Sequence, residues 1–187
     1  VMEAAKGLGL RLTVHADELE GSGGAQLAVE MGADSADHLG RISEEGIGAL
    51  AGSATVGVLL PGTIFSLGLD TWAPAREMIE RGAAIALATD FNPGSNYCES
   101  MPLTMAIACT RMHLHPHEAL VMATVNAAHA LGRGADLGAL VPGKRCDCII
   151  LHEDSVDGLC HHLGLEPIER VIVRGRTLWT DTRLSWA

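Results

Sequence analysis

Short apolar runs that end on ionisable side chains recur along this chain, and they set its fold class. Leu10-Arg11-Leu12-Thr13-Val14 runs into His15-Ala16-Asp17-Glu18, and Ser35-Ala36-Asp37 runs into His38. Ala84-Ile85-Ala86-Leu87-Ala88 runs into Thr89-Asp90-Phe91-Asn92-Pro93-Gly94-Ser95. A fourth run, Ala54-Thr55-Val56-Gly57-Val58-Leu59-Leu60, is stopped by Pro61-Gly62. Continuous apolar runs suit strands buried on both faces, as in parallel sheets. Helical patterns separate them: about 22–32 with Leu27, Ala28 and Met31 on one face, 44–51 behind a Ser43 cap, and 73–81 closed by Gly82. This alternation predicts an α/β fold with right-handed crossovers. Imidazoles and carboxylates at the carboxyl ends of buried strands are where a β/α barrel builds its active site.

A complete barrel takes about 250 residues, and this chain has 187. It opens on Val1-Met2-Glu3-Ala4-Ala5-Lys6, which reads as a helix already under way. The expected fold is therefore the carboxyl-terminal half of a TIM-like (β/α)8 barrel over residues 1–135. Its last part is two helices, 101–112 and 116–131, the second opened by Pro116. Residues 136–187 are expected to supply the returning strands of a small β-sandwich. Gly138 to Leu151 and Ile168 to Leu178 read as strands, the latter turning at Val173-Arg174-Gly175-Arg176.

A net charge of −10 argues against nucleic acid or an anionic membrane surface as partner. Only six residues are aromatic, so the core must be built from Ala, Val, Leu, Ile and Met. The five cysteines, Cys98, Cys109, Cys146, Cys148 and Cys160, are an odd set that reads as free thiols in a reducing compartment. A cytoplasmic location is expected.

His15, Glu18, His38 and Asp90, if brought to one barrel mouth, offer imidazole and carboxylate donors for a divalent zinc or iron ion. Such an ion activates water, and the remaining imidazole and carboxylate can move protons. Other polar clusters carry less. His113-Leu114-His115-Pro116-His117 lies between two helices, where His115 suits a cap. Cys146-Asp147-Cys148 lacks the spacing of a structural zinc site and reads as packing. His161 and His162 fall in a loop. Trp72, Trp179 and Trp186 read as isolated, Arg133 and Arg145 as solvated, and His129 as a hydrogen-bonded core residue.

The strings at 15–18 and 35–39, with Leu-Leu-Pro-Gly at 59–62, Ala-Thr-Asp-Phe-Asn-Pro-Gly-Ser at 88–95 and Glu-Ser-Met-Pro-Leu at 99–103, resemble the imidazolonepropionases. That family lies within the metal-dependent amidohydrolase superfamily. The resemblance extends to Asn126-Ala127-Ala128 and the Leu163-Gly164 stretch. It implies His15 and Asp90 as metal ligands, Glu18 as a catalytic carboxylate that contacts substrate, and His38 as a catalytic imidazole. It adds Asn92, Gly94 and Ser95 as substrate-contacting positions, with Asp90 doubling as a base. The implied reaction is hydrolytic opening of 4-imidazolone-5-propanoate to N-formimino-L-glutamate, in a homodimeric parent enzyme that takes a small-molecule substrate. The family's His-x-His ligand pair has no counterpart among the strand motifs here, so the chain alone is expected to be inactive. Two rivals stand beside this reading: a guanine or cytosine deaminase of the same superfamily, and a non-catalytic fragment that associates through unpaired sheet edges.

Overall fold

In the computed structural model, which describes residues 1–164 and 166–182, the four apolar runs form one parallel sheet in sequence order. Its strands are β1 (Thr13–Ala16), β2 (Ser35–His38), β3 (Val56–Leu59) and β4 (Ile85–Leu87). His15 pairs with Asp37, Asp37 with Val58, and Val58 with Ala86, so these four share one face. The opposite face packs Ala36, Leu59, Ile85 and Leu87 into the main core, where each is at most 2% exposed. Small residues make that packing tight. A Cβ on Gly57 would lie 2.9 Å from the Leu39 side chain and 3.1 Å from that of Met78, which only glycine avoids.

The connecting helices are α1 (Met2–Gly7), α2 (Gly24–Glu30), α3 (Glu44–Ala51), α4 (Pro61–Ser66) and α5 (Ala75–Glu80). Ser43 caps α3 as expected, its hydroxyl accepting from the Gly46 N–H. Helix α4 begins with the Pro61-Gly62 pair that reads as a strand stop. Proline at a first helical position is preorganised for the turn rather than a barrier to it.

Beyond the sheet come α6 (Met101–Met112), α7 (Pro116–Val121) and α8 (Ala127–Ala130). The expected continuous helix over 116–131 is divided by a π-helical turn at Met122–Asn126. Ala127 and Ala130 then cover Val56, Val58 and Ala86 on the His15 side of the sheet. What remains open there is a groove of about 310 Å³ whose walls include Thr13, Ser35, Asp37 and Asp90.

The last elements are β5 (Cys148–Leu151), α9 (Gly158–His161), β6 (Ile168–Val173) and β7 (Arg176–Thr180), the three strands forming an antiparallel sheet. The 173–176 turn forms with Arg174 and Gly175 at φ 52° and 73°. Extended pairing begins only at Cys148, because the Lys144 ammonium donates to the Gly134 and Leu137 carbonyls and holds 134–144 as a turn. His161 ends helix α9 rather than lying in a loop. His129 is exposed, not a core residue. Trp72 is not isolated, since the Arg111 guanidinium lies 5.0 Å over its ring. Arg133 and Arg145 pair with Asp136 and Asp147. Trp186 lies outside the described residues.

Candidate active site

Three of the strand-end residues meet. His15 Nε2 lies 2.9 Å from Glu18 Oε2, and His38 Nδ1 lies 3.5 Å from Glu18 Oε1. The two imidazole rings are 4.3 Å apart, and one donor atom from each residue falls within 4.8 Å of the others. The His15 side chain is 66% exposed, Glu18 15% and His38 8%, so the cluster runs from the open surface inward.

Backbone geometry aims these groups. Asp17, His38 and Asp90 are all non-glycine residues in the left-handed region, at φ 50°, 79° and 54°. Each terminates or follows a strand of the parallel sheet, so the chain turns at these points. Asp17 secures the first of these turns, a role that its sequence context does not signal. Its Oδ1 accepts from the Ser22 and Gly24 N–H groups and the Ser22 hydroxyl, and its Oδ2 accepts from the Ala25 N–H. Burial raises the Asp17 carboxyl, but these donors outweigh it and hold the group below its ordinary range. The fixed loop places Glu18 between the two histidines.

Burial pushes the His38 imidazole down, against the nearby Glu18 carboxylate, which favours the neutral ring. Burial also pushes the Asp37 carboxyl up, and its Oδ1 is buried with no hydrogen-bond partner among the described residues. The place of Asp37 on the sheet face beside His15 is readable only once the register is known.

Asp90 stands outside the three-residue cluster but lines the same groove as Asp37. Its Oδ2 accepts from the Thr63 hydroxyl at 2.6 Å. The following residues form a closed loop. Asn92 Oδ1 accepts from the Gly94 and Ser95 N–H groups, and Asn92 Nδ2 donates to the Asp90 carbonyl and the Ser95 hydroxyl. Phe91 and Tyr97 rings meet at 4.9 Å across it. The polar atoms of Asn92 are thus committed within the loop, while Gly94 is exposed.

Four other histidines have places elsewhere. His115 caps α7, with the Glu118 carboxylate accepting from its N–H, and His113 ends α6 in the left-handed region. His162 pairs with Glu153 and His152 with Asp181. All five cysteines are free. Among the described residues, no helix is long and apolar enough to cross a membrane.

The Amidohydrolase family profile matches residues 1–178. The chain belongs to the amidohydrolase family. It is 46% identical over 184 residues to the imidazolonepropionase of Geobacillus kaustophilus (strain HTA426), covering 98% of this chain and 43% of that protein. It is 48% identical over 181 residues to the imidazolonepropionase of Chloroflexus aggregans (strain MD-66 / DSM 9485), covering 97% and 42%. This amidohydrolase chain therefore spans less than half the length of the curated relatives it matches. Its fold is similar to that of the zinc-complexed atrazine chlorohydrolase TrzN from Arthrobacter aurescens TC1, with a TM-score of 0.80 at 22% identity over 100% of this chain and 48% of that one. The parallel sheet with helices and strand-end polar groups is thus part of an amidohydrolase barrel.

Proposed function

We propose that this chain supplies one side of the active site of an enzyme that opens the cyclic amide of 4-imidazolone-5-propanoate by hydrolysis, giving N-formimino-L-glutamate in histidine breakdown. The observation that carries the reading is 46–48% identity to imidazolonepropionases along almost the whole chain, with His15, Glu18 and His38 gathered at one strand-end mouth. Two imidazoles and a carboxylate within 4.8 Å are donors that a divalent zinc or iron ion accepts. Of this cluster we assign His15 to hold it, together with Asp90 from the adjoining groove, and such an ion would supply activation of water.

The chain's own residues then handle substrate and protons. His38, held toward the neutral ring by burial, can take a proton or polarise the ring carbonyl. Glu18, flanked by both imidazoles, orients them and contacts the ring nitrogen. Asp90 accepts a water proton as the water oxygen bonds to the carbonyl carbon and the ring C–N bond breaks, the leaving nitrogen taking a proton in turn. Asn92, Gly94 and Ser95 form the rim that contacts substrate. Residues 1–135 and 136–187 act as barrel part and β-sandwich part of a cytoplasmic, homodimeric enzyme. Five free thiols support the reducing location.

The test is turnover by a polypeptide that contains this chain within a complete barrel. Imidazolone consumption with formiminoglutamate release is expected, falling at least about 100-fold in Glu18→Gln and His38→Asn. Release of ammonia from guanine or cytosine, with no imidazolone turnover, would overturn the assignment.

A further inference from the structure

Asp90 is held from an element that none of the strand-end motifs contains. Thr63 lies on α4 with no exposed surface, and its Oγ1 sits 2.6 Å from Asp90 Oδ2. An ionised carboxylate only accepts, so Thr63 is the donor. The other helical threonines behave differently. Thr104, Thr110 and Thr124 each donate to the carbonyl four residues back in their own helix, the default for a helical hydroxyl. Thr63 instead spends its hydroxyl on a group 27 residues away.

The same helix grips the loop a second time. Asn96, only 2% exposed, donates from Nδ2 to the Thr89 carbonyl at 2.6 Å and accepts at Oδ1 from the Ser66 hydroxyl at 2.9 Å. Thr63 and Ser66 are three residues apart and so share one face of α4. Gly62 makes the approach possible, since a Cβ there would lie 2.4 Å from Asn96 Nδ2. Asp90 and Asn96 are thus each bonded to the same short helix.

We propose that Thr63 is a positioning residue for Asp90: its buried hydroxyl occupies Oδ2 and fixes the carboxylate, so that Oδ1 is the oxygen offered to a metal ion or a proton. The metal part of this statement rests on the proposed function; the positioning part does not. Thr63→Val keeps the shape and removes the donor, and Thr63→Ser keeps the donor.

Hydrogen exchange of the 89–96 amides reads the brace without any metal. Thr63→Val is expected to speed it about fivefold or more, the loss of one net hydrogen bond, while Thr63→Ser stays within about twofold of the parent chain. If the valine variant does not fold, Thr63→Ala takes its place. In a polypeptide that contains this chain within a complete barrel, titration with Co(II), followed by its visible absorption, reads the consequence: about tenfold weaker binding in Thr63→Val and rescue in Thr63→Ser. Unchanged exchange in Thr63→Val, or equal damage in Thr63→Ser, overturns the positioning role. The expected exchange pattern, with Co(II) affinity of the complete barrel unchanged by Thr63→Val, upholds the positioning role and overturns Asp90 as a ligand.

Discussion

The parallel and antiparallel sheets treat polar side chains in opposite ways. In the parallel sheet, Asp17, His38 and Asp90 sit in left-handed backbone at strand ends, a conformation that costs about 1–3 kcal/mol when a non-glycine residue is forced into a sparsely populated region. Surroundings hold them there: four donors on Asp17, and the Thr63 hydroxyl on Asp90. In the antiparallel sheet, β7 is exposed along its whole length, and among the described residues there the only left-handed non-glycine is Arg174, in the hairpin turn. The histidines around it, His152 and His162, simply pair with nearby carboxylates. A wealth of polar residues does not distinguish a site; over-determined backbone does.

Three measurements press on this contrast. The largest effect is expected from Asp17→Ala, which strips the acceptor from four donors beneath the mouth and should cost about 3 kcal/mol in urea unfolding. A loss below about 1 kcal/mol would mean the strand-end loop is not held in the way the contrast requires. A smaller effect is expected at the α5–α7 contact. There Glu118 is held down to about 2 by its hydrogen bond from Arg76. A carboxyl lowered from 4.5 contributes its stability in full above pH 4.5 and loses it as pH falls toward 2. The parent chain should therefore exceed Glu118→Gln by about 1 kcal/mol at neutral pH, allowing for solvent screening, with the gap closing across that acid window. The smallest effect belongs to the exposed Arg133–Asp136 pair near the antiparallel sheet. Arg133→Ala should leave the unfolding midpoint unchanged, and a clear shift would show that this periphery carries more than solvated charge.

The parallel sheet was legible because its strands are uninterrupted apolar runs, and Ser43, Pro116 and the 173–176 turn announce themselves by residue type. The convergence of His15, Glu18 and His38 could be anticipated from strand-end placement alone. What supports them could not. Thr63 is one threonine among many until α4 is seen to form on Pro61, and Asp17 acts on donors five to eight residues ahead, a reach no local pattern encodes. The π-helical turn was equally hidden, since Thr124 and Asn126 fit an ordinary helix by propensity and only tertiary contact reshapes the register.

That turn has a consequence for how the molecule meets its neighbours. Asn126 Nδ2 donates to the Ile85 carbonyl at 2.7 Å. Ala84 and Ala88 already bond to β3, and in a parallel ladder alternate residues address opposite sides, so Ile85 faces away from β3. A side-chain amide thus occupies a carbonyl that an incoming strand would use. Asn126 of the π turn therefore sits on the side of β4 where a complete barrel would continue the sheet.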